Sequence, residues 1–331
     1  MSDVLWQDGS QTIRLHREPT DGILQLVGAT RFISGSRHYR RVNVRAQLAQ
    51  LKNAVFLSAE HASETVGAYA IDETALSDGQ APYIGFYRAM LCVDPHYRGR
   101  GIGQRLIDSA TQWMRERCAQ VDRPGLSWGC IAGGNRAARQ LLAGTGHTEI
   151  GTLSAGLEYQ QWTNPSAALT DLDTPNAELT QAWHDVTKAA SWRPADLPQG
   201  AWVTLADGED WIACRYHETV LDVTPLTGAF GWIDRHLMSR FPPGRRRFDP
   251  AQFHYVSVTH RLHSARGLRL WKPLRNALMH RHQTHFVNVI EPTRSHVPRR
   301  ANPDLVVSAR RLDDDSAPLA SGQAMLWPPD M

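Results

Sequence analysis

Residues 11–18 alternate apolar and polar side chains, the period of a half-buried strand. Residues 54–60 and 65–72 are apolar runs separated by a short polar step, which predicts a hairpin, and 83–93 continue as a long strand. Over 102–118 the apolar residues Ile102, Leu106, Ile107, Ala110, Trp113 and Met114 fall at helical spacing. Further helices are predicted over 21–32, 42–51 and 135–143, and strands over 126–132 and 148–162. Strands mixed with helices in this way predict an α/β chain built on a mixed sheet.

A polar stretch, 163–176, carries two prolines and no sustained apolar period, and reads as a linker between residues 1–162 and 177–331. The second part repeats some of the first. Residues 201–207 and 210–218 form a strand, turn, strand pattern like that of 54–72; 254–258 and 285–290 read as strands, and 267–279 as a helix-like run broken by Pro273. Either the chain is an internal duplication that has diverged, or 177–331 is an unrelated α/β domain with a similar order.

Composition narrows the class. Hydrophobic residues make up 42% of 331, enough for sizeable cores. A formal charge of +3 gives no reason to expect nucleic acid or a membrane surface as partner. The first residues lack a basic segment followed by an apolar run, and no window approaches eighteen apolar residues, so neither a signal peptide nor a spanning helix is expected. Cys92, Cys118, Cys130 and Cys214 form no CxxC pair and read as free thiols in a reducing cytoplasm. His280, His282 and His285 are closely spaced but lack a fourth ligand at convincing spacing, so no metal is expected. Arg31, Arg37, Arg40, Arg41 and Arg45 form either a solvated face or a site for a carboxylate. Gly244–Arg247 and Arg299–Arg300 read as exposed basic turns, and most of the tryptophans after residue 177 as core.

The strongest chemical signal is VDPHYRGRGIGQRL, residues 93–106. A strand ends at Val93, glycines follow at 99, 101 and 103, and a helix begins at once. Glycines let main-chain N–H groups approach a ligand, and the helix start adds unpaired donors and a positive dipole end. Together these make an anion site suited to a pyrophosphate. The spacing fits neither a dinucleotide fingerprint nor a P-loop, which would end in G-K-[ST]. It resembles the [RQ]-x-x-G-x-[GA] loop of the GNAT superfamily of N-acetyltransferases, with Arg98, Gly101 and Gly103 at the defining positions. Asn135, Ala138, Leu141 and Gly146 match the second cofactor motif of that family, so the resemblance covers about half of the chain.

The resemblance implies a GNAT fold in 1–162, and in 177–331 a diverged GNAT-like repeat without a coenzyme A site. It implies acetyl-CoA or another acyl-CoA as cosubstrate. Backbone N–H groups from Arg98 through Gly99, Arg100, Gly101, Ile102 and Gly103 to Gln104 would hold its pyrophosphate. The backbones of Leu91 and Val93 would pair with the pantetheine arm, strands would splay between Val93 and Ile131, and Asn135 would bind the arm or a bridging water. Leu142 stands where many members carry the tyrosine that protonates the departing thiolate, and His147 where a phenylalanine is frequent. Tyr87 occupies a position often used by the base; it is either that group or an ordinary strand tyrosine. Glu60, Glu73 and His96 are weaker candidates.

The expected reaction is transfer of an acetyl or short acyl group to an amine of a small molecule in a ternary complex, by a monomer or homodimer in the cytoplasm. The alternatives are an acyl-CoA sensor or scaffold without activity, or altered chemistry on the same fold, such as decarboxylation or transfer to a carrier. The second part has one glycine, Gly267, in the segment aligned with the loop, and bulky Leu268 and Arg269 follow it, so it is expected not to bind coenzyme A.

Overall fold

Sixteen strands and six α-helices organise the described part of the chain, a computed structural model. The described residues are 2–34, 37–159, 168–172, 176–188, 190, 192–198, 200–224, 250–292, 305–313, 319 and 326. The 244–247 run, Arg299, Arg300, Trp162, Trp232 and Trp327 lie outside them.

The chain begins with an antiparallel pair, β1 (Ser2–Asp8) and β2 (Gln11–His16). Helix α1 (Asp21–Ala29) starts at Thr20, whose hydroxyl accepts from the Ile23 N–H at 3.3 Å. It stops before residue 32, because Thr30 is extended and its hydroxyl donates to the Leu26 carbonyl at 2.7 Å. Phe32 then enters β3 (Phe32–Ser34), which pairs with β4 (Arg37–Arg41), and α2 (Val44–Leu48) is shorter than its apolar pattern suggests. The expected hairpin is β5 (Ala54–His61) and β6 (Glu64–Ser77), and β7 (Pro82–Val93) follows it. Then come α3 (Ile102–Val121), β8 (Gly125–Ala132), α4 (Arg136–Gly144) and a single strand β9 (Thr148–Tyr159).

The second part contains β10 (Thr170–Leu172), α5 (Ala177–Thr187), β11 (Arg193–Pro194), β12 (Ala201–Asp207), β13 (Asp210–Asp222), β14 (Phe253–His263), α6 (Trp271–Arg281), β15 (Phe286–Pro292) and β16 (Leu305–Arg311). The expected linker, 163–176, therefore includes an edge strand: β10 pairs with β12. Pro273 does not break the helix; it sits in the first turn of α6, where its missing N–H has no partner to lose.

Strand order ties the two parts of the chain together. The main sheet runs β1-β2-β5-β6-β7-β8-β16-β9-β15-β14-β13-β12-β10. β7 and β8 are parallel, as are β14 and β15. Between these two parallel pairs lie β16 and β9, antiparallel to each other. The last of the described strands, β16, separates β8 from β9, and β9 separates β15 from β16. Among the described residues, each part thus lends its final strand to the other, about an approximate twofold relation of strand order centred on the β9–β16 pair. Residues 1–162 by themselves thus lack β16, a strand hydrogen-bonded to β8 and β9.

The same relation is visible in detail. In β7 one extra residue, Met90, interrupts the register with β6 and has φ 55°. In β14 the extra residue against β13 is His260, with φ 50°. Such bulges bend a strand and end its pairing. Counted from the bulges, Tyr87 corresponds to Ser257 and Val93 to His263, so the counterpart of the loop begins at Ser264.

One apolar layer, with α1, packs on one face, where Tyr87, Trp128, Trp183 and Trp202 are buried. α3 covers the other face of the first part through Leu106, Ile107, Ala110 and Met114, and α6 covers the corresponding face of the second through Leu274 and Leu278. Beside β13 and β14 this layer also takes in polar groups: both ring nitrogens of His217 are buried and make no hydrogen bond. Burial, reinforced by the charges of Arg215 and Arg41, pushes its pKa from 6.5 down to about 3. Burial also pushes His260 well down. Between those values the unfolded chain binds a proton that the folded chain does not, so stability falls as pH drops below about 6.5. Each histidine contributes a slope of at most about 1.4 kcal/mol per pH unit. Thermal melts from pH 7 towards pH 4 are expected to show a shallower loss of Tm in His217→Gln than in the wild type; equal slopes would remove His217 from this account.

Candidate functional site

The parallel pairing of β7 with β8 runs from Ile84 opposite Gly125 to Tyr87 opposite Trp128 and ends there. Both strands continue, β7 along β6 and β8 along β16, where Ile131 faces Val306. A wedge therefore opens between them, with Tyr87 and Trp128 at its closed end, ring centroids 4.7 Å apart. From Val93 back to Tyr87 the wedge is at most about 20 Å deep, at about 3.3 Å per residue. The Asp94 N–H donates to the Val66 carbonyl at 2.9 Å, so it points to β6. Strand alternation then turns the N–H groups of Val93 and Leu91 into the wedge. The Val93 carbonyl accepts from Arg98 Nε at 3.1 Å.

At the wide end the chain turns through a 3₁₀ turn, Pro95–Tyr97, held by the Asp94 side chain, which accepts from the His96 N–H. Gly99 and Gly101 follow with φ 75° and 77°. A Cβ built on either meets no atom within 4 Å, so these glycines face open space. Gly101 is the N-cap of α3 and has no side chain to satisfy its first turn. The intrahelical ladder begins with the Arg105 N–H on the Gly101 carbonyl, which leaves the Ile102, Gly103 and Gln104 N–H groups ahead of it. The Arg100 guanidinium lies over the Tyr97 ring. Gly103 differs from its neighbours: its φ is not left-handed, and a Cβ there would make ordinary contacts with Leu141 and Val93. The expected backbone constraint thus holds at Gly101 and not at Gly103. Open N–H groups, a helix N-terminus and no intruding side chain fit a pyrophosphate.

Asn135 is the N-cap of α4, its Oδ1 accepting from the Ala138 N–H at 3.1 Å, which leaves its amide Nδ2 to face a ligand. Leu142 is buried against α3. His147 is buried beside Thr145 Oγ1 (2.9 Å from Nδ1) and Ser127 Oγ (3.4 Å from Nε2). Glu60 is engaged by Arg14 and Glu73 by Arg117, and His96 sits in the turn at the loop's start. The arginine cluster is spent largely on the fold: Arg40 pairs with Asp222, Arg41 donates to Gln47 and Arg45 meets Asp21. Of the closely spaced histidines, His282 pairs with Glu218, which also holds His254.

Sequence reasoning passed over Arg88, the residue after Tyr87. It is buried in the sheet, and its Nη2 donates to the Ser308 carbonyl (3.0 Å) and hydroxyl (2.8 Å) on β16. Burial lowers its pKa, opposed by the neighbouring Tyr69 hydroxyl. The available signal was a single charged residue within an otherwise apolar strand.

In the second part the corresponding place is closed. A Cβ on Gly267 would come within 1.9 Å of the Trp211 carbonyl oxygen, so this glycine serves close packing against the β12–β13 turn. Arg269 pairs with Asp207 and Asp210, and Arg266 also reaches Asp210. Neither arginine is free to replace a cradle of N–H groups. Titration of the full chain with coenzyme A is expected to give one site per chain; a second site would overturn this reading of the second part.

The family model described as an acetyltransferase (GNAT) domain matches residues 52–142. No curated protein matches the chain in sequence. Among solved structures, N-myristoyltransferase of Saccharomyces cerevisiae with bound myristoyl-CoA aligns at TM-score 0.58 and 8% identity, over 93% of this chain and 84% of that one. A second structure of that enzyme gives 0.53 at 9% identity, over 92% and 79%. A GCN5-related N-acetyltransferase from Anabaena variabilis aligns at 0.49 and 12% identity, over 91% and 73%. The two higher scores show a shared fold. The matched segment, 52–142, holds β6, the wedge strand β7, the loop and α3, and it is in this segment that the chain is similar to the GNAT acetyltransferase domain.

Proposed function

We propose that the chain is an acyltransferase that moves an acetyl or short acyl group from acyl-CoA to an amine of a small molecule, by direct attack in a ternary complex. The observation that carries this is the open loop at Gly99 and Gly101, set on the N-terminus of α3 at the mouth of the β7–β8 wedge. In this reading the N–H groups from Arg98 to Gln104 hold the pyrophosphate, and Leu91 and Val93 extend their strand edge to the pantetheine arm. The Asn135 amide steadies that arm. Tyr87, at the closed end, is the group placed to relay a proton between the amine and solvent. Leu142 has no proton to donate, so the departing thiolate takes one from another group or from water. Proximity and polarisation of the thioester carbonyl by strand N–H groups supply the rate.

The second part, 177–331, is read as a GNAT-like partner that completes the sheet and has lost its own cofactor site. All four cysteines are free, which accords with the cytoplasm. The test is release of coenzyme A thiol from acetyl-CoA across a panel of small amines. Release that depends on an amine and disappears in Gly101→Val supports the proposal. Tight, loop-dependent binding without release on any amine would favour a sensor.

A further inference from the structure

Arg88 poses a physical problem that the reaction scheme leaves unanswered. Its guanidinium is buried, its Nε makes no hydrogen bond, and no carboxylate pairs with it among the described residues. Among the described residues its hydrogen bonds go to the neutral Ser308 alone, and the Tyr69 hydroxyl nearby is itself buried without a hydrogen-bond partner. Burying a cation without a counter-ion is costly, and hydrogen bonds to neutral oxygens offset only part of that cost.

Its place is the closed end of the wedge. Arg88 directly follows the last parallel pair, Tyr87–Trp128, and lies two residues before the bulge at Met90. The side chain crosses β8 over Gly129 to reach Ser308; a Cβ on Gly129 would stand 3.3 Å from the Arg88 Cβ and 3.6 Å from Nη2. The nearest atom to that Cβ would be the Arg88 carbonyl oxygen, at 3.0 Å, so the glycine serves the close approach of β7 to β8 at this point, with the guanidinium in ordinary contact over it.

The approximate twofold relation supplies an internal control. Counted from the bulges, Arg88 corresponds to Val258 and Gly129 to Val289, and those two valines are paired in register. Both are buried in the apolar layer under α6. The same junction therefore closes with two apolar side chains in the half whose loop is shut. The fold does not need a cation there, and the half with the open loop has one.

Resting on the acyl-CoA reading above, we infer that Arg88 is a specificity residue for a carboxylate, carried on the acyl chain of the donor, as in malonyl- or succinyl-CoA. The carboxylate would complete the fork of donors that Ser308 leaves open. A carboxylate on the amine acceptor has the same chemistry, and the experiment separates the two sources.

Binding of acetyl-, malonyl- and succinyl-CoA is measured by calorimetry on the full chain, wild type and Arg88→Met, with Tm of each unliganded protein. The wild type is expected to prefer a carboxyl-bearing donor over acetyl-CoA by roughly ten- to a hundredfold, the range for a charge-assisted hydrogen bond. In Arg88→Met the ratio should fall to about one while the unliganded Tm holds or rises, because an unpaired charge has been removed. Arg88→Lys, which keeps the charge without the fork, should retain part of the preference and serves if Arg88→Met does not fold. A wild type that binds all three donors alike overturns the inference and leaves the acyltransferase reading standing. A preference that appears only among amines, for an amino acid over its amide, also overturns it and moves the carboxylate to the acceptor. Loss of Tm in Arg88→Met with an unchanged donor ratio would make Arg88 structural. Failure of the wild type to bind any acyl-CoA would overturn both readings.

Discussion

A fragment ending at residue 162 is expected to show no cooperative thermal transition and no binding of coenzyme A, although both cofactor motifs lie within it. The reason is β16. Its Leu305, Val306, Val307 and Ala309 are buried, and it is hydrogen-bonded to β8 on one side and β9 on the other. Burial of the two valines and the leucine contributes about 1.5–3 kcal/mol each, roughly 5–9 kcal/mol together. Whole domains have net stabilities of about 5–15 kcal/mol. The fragment also leaves the facing edges of β8 and β9 unpaired, which invites aggregation. Appending residues 303–313 through a flexible linker of about twelve glycines and serines, long enough to pass back along β9, is expected to recover part of the transition. Circular dichroism melts and calorimetry on the two fragments and the full chain decide it. If the fragment melts like the full chain and binds coenzyme A, the exchanged strand is dispensable to the site.

The contrast between that result and the reading from sequence shows what a linear pattern carries. Period and length identify an element and its buried face, so the hairpin β5–β6, the strand β7, helix α3 and the glycine loop were all legible. Pattern does not say which strand lies beside which, and β16 reads as any short apolar run until the sheet is assembled. Local chemistry was also ambiguous where one residue type serves two ends. Gly101 and Gly267 both follow a strand and precede a helix. Gly101 has φ 77° and open space before it, whereas Gly267 is packed on a carbonyl oxygen. Pro273 reads as a helix breaker and sits in a first turn, where it costs nothing. The bulges at Met90 and His260, which open the wedge and align the halves, leave no mark in composition, because methionine does not favour a positive φ and histidine, though enriched there, mostly adopts a negative one.

Gly101→Val is expected to abolish binding of coenzyme A while the protein stays folded, and the geometry separates the two effects. A Cβ at 101 meets no protein atom within 4 Å, so valine creates no clash in the unliganded chain. The cost to the fold is the left-handed backbone, about 1–2 kcal/mol for an ordinary L-residue and more for a branched one. That lowers Tm by several degrees and leaves a folded protein. The cost to binding is of a different kind. The valine methyls occupy the space before the Ile102, Gly103 and Gln104 N–H groups, where the phosphates must approach. A ligand at a hundred times its dissociation constant stabilises its protein by about 2.7 kcal/mol. At that concentration, a wild-type thermal shift should disappear in the variant, which corresponds to at least a hundredfold loss of affinity. Gly103→Ala is the matched comparison. Its backbone is helical, its added methyl makes ordinary contacts with Leu141 and Val93, and alanine favours the helix over glycine by about 1 kcal/mol. This variant should melt no lower than the wild type. If Gly101→Val keeps the full ligand-induced shift, the pyrophosphate does not sit on this helix terminus. If both variants lose the shift at unchanged Tm, occlusion alone is responsible, and the left-handed turn at Gly101 is less costly to replace than its geometry implies.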